Sequence, residues 1–386
     1  MVPNGWKLER VGDLFDVQLG KMLNQEAKDK TPQFHYLGNS NVKWGSFDLS
    51  DLKTMHFSER DVEKFTLELD DIIMCEGGEV GRCAIWQGSD TAIFYQKALH
   101  RLRSKGQIIP QFFQSYMEKI SGTKLLDDYT SRTSIAHLTR EKLISLPVRL
   151  PPIPEQKEIA NILSTWDKAI STTEQLLANS QQQKKALMQQ LLTGKKRLLD
   201  NNGVRFSGGW RERLLGDISK ITTGSSNRQD SHMNGAYTFF DRSEDIRTSD
   251  TYLFDCEAVI VPGEGQDFIP KYFVGKFDLH QRTYAIMDFP ECHGKFLFYA
   301  IHYFRSHFLS QAVGSTVKSL RLPMFQKMKL NLPTFEEQQK IAVVISTADQ
   351  EITTLQQKLD ALKQEKKALM QQLLTGKRRV KVVGAA

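Results

Sequence analysis

The chain has 386 residues, of which 40% are apolar and 25% charged, and a net charge of +7. This length predicts two or three domains. The composition is that of an ordinary soluble globular protein, and four scattered cysteines (Cys75, Cys83, Cys256, Cys292) exclude a disulfide framework and fit a reducing, cytoplasmic setting. The opening MVPNGWKLERVGDLF lacks the apolar core of a signal peptide. No apolar run approaches the roughly 18 residues of a membrane span, so no membrane is expected as a partner.

Block one, residues 1–150, opens with GWKLERVGDLFDVQLG, where Trp6, Leu8, Val11 and Leu14 predict a short amphipathic turn or helix leading into a strand. FHYLGNSNVKWGSFDL (Phe34–Leu49) is aromatic and punctuated by Gly and Asn, which reads as strands with tight turns. DDIIMC predicts a buried strand ahead of a glycine turn, GGEVG. CAIW and AIFYQKALHRLR predict further strands, and Pro110–Ile120 a short helix. Segment 151–205 begins with LPPIPEQKEIA; prolines and Glu155 in a first turn are strong helix-start signals, because the first amides need no helical partner and the positive end favours acid. Apolar and small residues then follow a 4-3-4-3 spacing: Ile159, Leu163, Trp166, Ile170, Thr173, Leu177, Ser180, Lys184, Leu187, Leu191. Gly194 and the cations after it mark the stop.

Block two, residues 206–332, repeats the plan. GWRERLLGDISKITTG matches the opening of block one, EAVIVPGEG echoes DIIMCEGG, and Gln281 echoes Gln96. Segment 333–386 repeats the helix with Ile341, Ile345, Ala348, Ile352, Leu355, Leu359, Leu362, Lys366, Leu369 and Leu373 on the same spacing. The stretch KKALMQQLLTGK occurs without change at 184–195 and 366–377, an offset of 366 − 184 = 182, whereas the GW openings are offset by 210 − 6 = 204. Block two is therefore 204 − 182 = 22 residues shorter, and the helices keep both length and register. A helix of this length reaches about 60 Å. A strict 3.5-residue seam is made for another helix of the same kind, and the simplest partner is the other copy, antiparallel, in the same chain. Lys184 and Lys366 fall on the seam, where polar groups either fix register or snorkel from an edge.

Sequence signatures of catalysis are missing. There is no phosphate loop, dinucleotide fingerprint, HExxH, GxSxG or methylase-type Pro-Pro-aromatic loop, and the cysteines and histidines lack metal-ligand spacing. No catalytic or metal-binding residue is predicted. Charge is even in bulk: residues 1–150 hold 20 Lys+Arg against 20 Asp+Glu, and residues 206–332 hold 15 against 14. Local runs are more informative. Thr91–Met117 has no acid but contains Lys97, His100, Arg101, Arg103 and Lys105; Cys292–Phe335 has none but contains Lys295, Arg305, Lys318, Arg321, Lys327 and Lys329. Polar loops offer further candidate DNA contacts: Asn39, Asn41 and Lys43; Arg82; Arg132, Thr133 and Ser134; Asn227 and Arg228; Arg242; Ser315, Thr316 and Lys318. Arg suits guanine edges and Asn adenine, while Lys, Ser and Thr more often hold phosphate. Lys-rich strand edges that merely prevent aggregation are the alternative.

With its paired GW…GD(L/I) openings, YLGNSNVKWG, DDIIMCEGGEVGR, and LPPIPEQKEIA…LLTGKK repeated as LPTFEEQQKIA…LLTGKR, the chain resembles the specificity subunit of type I restriction-modification enzymes over almost its whole length. The resemblance implies an α+β chain with two globular mixed α/β target recognition domains separated by two long antiparallel helices that form an intramolecular coiled coil, a pseudo-two-fold internal repeat. It also implies a DNA-reading subunit without catalysis. Each domain would read half of a split, asymmetric double-stranded DNA site, and the helices would set the spacer. Two methylase subunits would dock on it, then restriction subunits, and S-adenosylmethionine, ATP and Mg would be held by those partners. Block two departs from block one, with PGEGQDF in place of EGGEVGR, so the two halves would read different sequences. Two other readings stay open on the residues alone: a single-chain DNA-modifying or DNA-cleaving enzyme with an unrecognised site, and a self-dimerising coiled-coil protein.

Overall fold

A computed structural model of the chain describes residues 2–132, 136–243 and 245–382. The chain divides into two compact units, Met1–Glu174 with Lys358–Ala386, and Gln175–Gln357. Both boundaries cut through the long helices instead of falling at residues 150, 205 and 332, and the reason lies in how those helices end.

Unit one begins with β1 (Lys7–Arg10) and β2 (Phe15–Leu19), followed by β3 (Gln33–Leu37), β4 (Lys53–His56), β5 (Ile72–Cys75), β6 (Cys83–Ile85), β7 (Ile93–Tyr95) and β8 (Leu99–Ser104). The antiparallel sheet runs β2-β8-β5-β6, and a smaller sheet runs β4-β3-β7 with β3 and β7 parallel. β5 is apolar at every position and fully buried, as a short β-branched run before a glycine turn dictates. Helix α1 (Pro110–Ile120) follows, then β9 (Pro147–Leu150), which pairs with β1 and closes the block where helix α2 (Ile153–Leu192) begins.

Unit two repeats this order with β10 (Arg211–Leu214), β11 (Lys220–Thr223), β12 (Tyr237–Phe240), β13 (Arg247–Ser249), β14 (Phe254–Pro262), β15 (Lys271–Leu279) and β16 (Thr283–Met287). Then come α3 (Gly294–Tyr303), β17 (Lys329–Leu332) and α4 (Phe335–Leu373). Its main sheet runs β11-β16-β14-β15-β12-β13, with β15 and β12 parallel, and β10 pairs with β17 before α4. One nine-residue strand, β15, stands where unit one has two strands of three residues, β6 and β7. The glycine-bearing insert between Ile85 and Ile93 breaks that strand, and the sheet of unit one falls into two pieces.

Every apolar position of the predicted seam is buried or half-buried, and Thr173 and Ser180 on the same seam are buried too. Pairing is antiparallel within each unit. In unit one Glu174 meets Lys363 and Asp167 meets Lys366, both at 2.7 Å. In unit two Ser180 donates to Glu351 at 3.1 Å, and Lys184 pairs with Asp349. The seam lysines thus find carboxylates on the facing helix, at equivalent places (167 + 182 = 349).

The helix ends carry the least expected packing. Met370, Leu373 and Leu374 of α4 enter the core of unit one beside Trp6, Ile159 and Leu163. Met188, Leu191 and Leu192 of α2 enter the core of unit two beside Ile218, Phe296 and Ile341. Each copy of KKALMQQLLTGK is therefore a wedge in the block that its own helix does not start from. Gly194 and Gly376 end the helices at φ of +69° and +68°, the left-handed backbone of a glycine helix stop, with Gly194 N donating to Leu191 O and Lys196 N to Gln190 O, and Gly376 N to Leu373 O and Arg378 N to Gln372 O. One turn on, Arg197 pairs with the buried Glu337 and lies over Trp210, and Arg379 pairs with the buried Glu155 and lies over Trp6. The residue after each glutamate is also internal: Gln156 accepts from Ile109 N and donates to Pro151 O, and Gln338 accepts from His293 N and donates to Pro333 O. The Glu-Gln pair thus ties each long helix to the block that precedes it and to the other helix's tail.

Candidate nucleic-acid interface

In unit one three loops converge beyond β5. The turn Asn39–Asn41 follows β3, the glycine loop 76–81 follows β5, and the hairpin that pairs Ser131–Arg132 with Ala136–His137 leads back to the core at Leu138. Asn39 Nδ2 donates to Gly77 O at 2.9 Å, Gly77 bridges His137, and Leu138 N donates to Glu76 O at 2.8 Å. A Cβ at Gly77 would stand 2.9 Å from the His137 ring, so glycine lets the loop approach the hairpin without displacing that ring. Trp44 Nε1 and Arg82 Nη1 both donate to Glu79, at 2.6 and 2.9 Å. The Trp44 bond, followed by Arg82, lowers the Glu79 pKa against the opposing effect of burial.

Unit two builds the same junction from different side chains. Leu320 N donates to Gly263 O at 2.8 Å, a counterpart of the Leu138 bond to Glu76 O whose donors are 182 residues apart, and Glu264–Gly265 pairs with Lys318–Ser319. Glu264 is gripped by Arg242 at 3.5 Å and by Arg282. The side chains that replace Arg82, Asn39 and Trp44 leave two guanidiniums more than half exposed.

A family model described as the type I restriction modification DNA specificity domain matches residues 3–179 and 207–364, most of both blocks and both helices. The chain belongs to that family. It is 24% identical to the type I restriction enzyme MjaVIII specificity subunit of Methanocaldococcus jannaschii, over 98% of this chain and 94% of that protein. It is 28% identical to the EcoDI specificity subunit of Escherichia coli, over 43% of this chain and 37% of that protein. In fold it is similar to a type I restriction-modification S subunit from M. genitalium, with a TM-score of 0.66, 16% identity and 97% of each chain covered. A structure described as underlying complex assembly and conformational transition of the type I system gives a TM-score of 0.57 at 16% identity, over 98% of this chain and all of that one.

The fold of this specificity chain divides the candidate contacts into three groups. Lys43, Lys97, Ser315 and Thr316 are exposed, and Lys318 is half-buried at the base of its hairpin. Asn227 and Arg228 form a short turn in which Asn227 accepts from Gln281 and Arg228 donates to Ser243. Arg321 is exposed at the start of a short helix, directly after Leu320. Thr133 and Ser134 lie outside the described residues; the backbone of Arg132 pairs with Ala136.

A second group is occupied inside the fold. Asn41 is 7% exposed and staples its own loop, accepting from Gly38 N and donating to Asp48 O and Asp51 O. Arg101 pairs with Asp16 at 2.7 Å, and Arg103 grips Asp71 with Nε at 2.8 Å and Nη2 at 2.7 Å. Asp71 precedes β5, at the opposite end of that strand from the glycine loop, so Arg103 belongs to the strand's far end. Arg82 is half in this group: besides Glu79 it donates to Asn39 O at 3.0 Å and so holds the loops together. Finally, Lys295 is exposed but misplaced for the junction. Its neighbour Gly294 abuts Glu257, seven residues and about 23 Å along extended chain from Glu264.

Three loop residues escape sequence reasoning: Trp44, His137 and Arg282. Arg282 had a usable signal, since it follows Gln281, the echo of Gln96. Among the described residues no group of His, Cys, Asp and Glu is arranged to hold a metal ion, and no helix is long and apolar enough to cross a membrane.

Proposed function

We propose that this specificity chain reads a bipartite double-stranded DNA site, with the loop junction of each unit contacting one half-sequence and the paired helices setting the spacer. The observation that carries this reading is the contrast within the repeat. The junction recurs on identical backbone bonds at Leu138 and Leu320, but its side chains differ, so the two units suit different bases. The helices, in contrast, keep seam, length and end chemistry at a constant offset of 182. Lys43 and Lys97 in unit one, and Arg228 and Lys318 in unit two, supply phosphate contacts, and in unit two the hairpin at Ser315 and Thr316 supplies base contacts.

In this reading the chain itself is non-catalytic and works in the cytoplasm. Two methylase subunits dock on the helices and bring S-adenosylmethionine; restriction subunits join the complex and bring ATP and Mg. Near-neutral blocks make the isolated chain a weak, salt-sensitive DNA binder, because neutralising phosphates drives most non-specific affinity. The test is methylome sequencing of cells with the chain, without it, and with about one turn (four residues) inserted in both helices. The expected result is a site with unchanged half-sequences and a changed spacer. A change in the specified bases would remove the ruler from the reading.

A further inference from the structure

Three arginines of this chain spend the side fork of the guanidinium, Nε with Nη2, inside the fold. Arg103, Arg197 and Arg379 each close that fork on a buried carboxylate, Asp71, Glu337 or Glu155. Arg242 and Arg282 do not. Both turn Nη1 to Glu264, Arg282 to one carboxylate oxygen and Arg242 to the other at 3.5 Å. Among the described residues the Nε–Nη2 fork of each is without a partner. Their side chains are 53% and 62% exposed, against 14% for the glutamate between them.

The internal repeat shows that this trio is not scaffolding. His280 N donates to Phe240 O as Gln96 N does to Leu37 O, which makes Asn39 the counterpart of Arg242. Gly263 N donates to Arg282 O as Glu76 N does to Ala98 O, so Ala98 is the counterpart of Arg282, and Gly77 that of Glu264. Unit one therefore closes the same backbone junction with no charge at any of the three places. In unit two the backbone fixes Glu264 from both sides: Gly263 O accepts from Leu320 N, and Glu264 pairs with Ser319. A Cβ at Gly263 would stand 2.5 Å from Arg282 O, so glycine there lets the loop close on the turn that carries Arg282.

We infer that Arg242 and Arg282 each take the O6/N7 edge of a guanine in the major groove, with Glu264 as the positioning residue that aims both forks, so that the half-sequence read by unit two specifies two G·C pairs. This rests on the proposed function and names bases for it. Guanine alone presents two adjacent acceptors on its major-groove edge, the pattern that a guanidinium fork matches. A side chain already held at Nη1 has less freedom left to lose on binding, which favours the contact. Phosphate fits the trio less well, because an anion between these arginines would also face the Glu264 carboxylate. Asn39 and Ala98 cannot repeat the contact, so it is confined to one half-sequence.

The experiment maps the sites methylated in cells that express the full chain with its methylase subunit. It then measures binding of the purified complex to duplexes carrying each base at each specified position, at several salt concentrations. Wild type is expected to specify guanine at two positions of one half-sequence. Arg242→Ala and Arg282→Ala are each expected to relax one of them, with roughly a tenfold loss of preference for guanine, and to leave the other half-sequence intact. Glu264→Gln is expected to relax both together without weakening non-specific binding, since no cation is removed. Arg282→Gln is expected to move its position toward adenine, a gain that a misfolded chain cannot produce. A wild-type site with no guanine in that half overturns the inference and leaves the DNA-reading function intact. So does undiminished guanine preference in both alanine variants. Equal weakening on all sequences, with the salt slope reduced by about one, also overturns it and assigns the arginines to phosphate. A wild-type complex that recognises no split site sinks the inference together with the function it rests on.

Discussion

Arg379 reaches Glu155 across 224 residues of sequence, with Nε 2.6 Å from one carboxylate oxygen and Nη2 2.8 Å from the other. Glu155 is 3% exposed and also accepts from Trp6 Nε1 at 3.1 Å. The tail of the last helix therefore locks the first turn of the first helix and the N-terminal GW motif in one contact. Arg197 grips Glu337 with the same two nitrogens in unit two, where Trp210 contributes its ring face and not a hydrogen bond. Arg379→Ala leaves a buried carboxylate with one remaining donor, and is expected to cost roughly 1.5–3 kcal/mol, the worth of hydrogen bonds to a charged group. Urea unfolding followed by tryptophan fluorescence measures it. The pair Glu155→Gln/Arg379→Gln is expected to cost less than Arg379→Ala, since no buried charge is orphaned; an equal loss would assign the effect to packing over Trp6 alone.

Gln156 and Gln338 satisfy backbone groups that no helix or sheet serves. Gln156→Ala is expected to destabilise unit one by roughly 1–3 kcal/mol, because Ile109 N and Pro151 O lose their partners. Gln156→Glu restores the acceptor but not the donor and is expected to fall between. Hydrogen exchange is the sensitive reading: protection of the amides at the start of α1 drops first, and unchanged protection there would show that water replaces the glutamine.

How much of this was legible beforehand differs by contact range. The seam was readable because spacing along one helix is a local property, and the structure buries or half-buries every apolar position named from it. The wedges at Met188 and Met370 were not, since nothing local says which core a helix end enters. Arg101 and Arg103 looked like DNA contacts because the acid-free run around them is real in sequence. Their acids come from elsewhere, Asp16 at a separation of 85 residues and Asp71 at 32. Asn41 was misleading for another reason: a buried amide that staples its own turn has the same residue type as one that reads adenine.

The hairpins offer a direct test of reading. Ser315→Ala with Thr316→Ala is expected to relax discrimination within one half-sequence and leave the other untouched, as scored by the methylated sites of the complex. Lys43→Ala and Lys97→Ala are expected to behave differently. Each weakens binding to all sequences alike and reduces the slope of log affinity against log salt by about one. Loss of a single base preference on removing Lys97 would move that residue from phosphate to base contact.

His100 predicts an acid weakness in unit one. Its ring is fully buried, with Nε2 2.9 Å from the Leu138 carbonyl that roots the hairpin. Burial lowers its pKa from 6.5, against the pull of that carbonyl. In the window below about 6.5 the unfolded chain binds a proton that the folded chain refuses, so stability rises with pH there. Acidification from pH 7.5 to 5 is expected to lower the urea midpoint of unit one, and His100→Gln to flatten that dependence. An unaltered pH profile in the variant would place the acid sensitivity elsewhere.

The antiparallel contact between a helix start and the other helix's tail has a genetic consequence. Recombination between the two DNA stretches encoding KKALMQQLLTGK would excise 182 codons in frame and leave a chain of 386 − 182 = 204 residues. That product would keep block one, a single helix with Glu155 in its first turn and the tail bearing Arg379. One helix cannot clasp its own first turn, so start and tail could meet only between two such chains. The shortened gene would then encode a homodimer with two identical readers, and its target would become an inverted repeat.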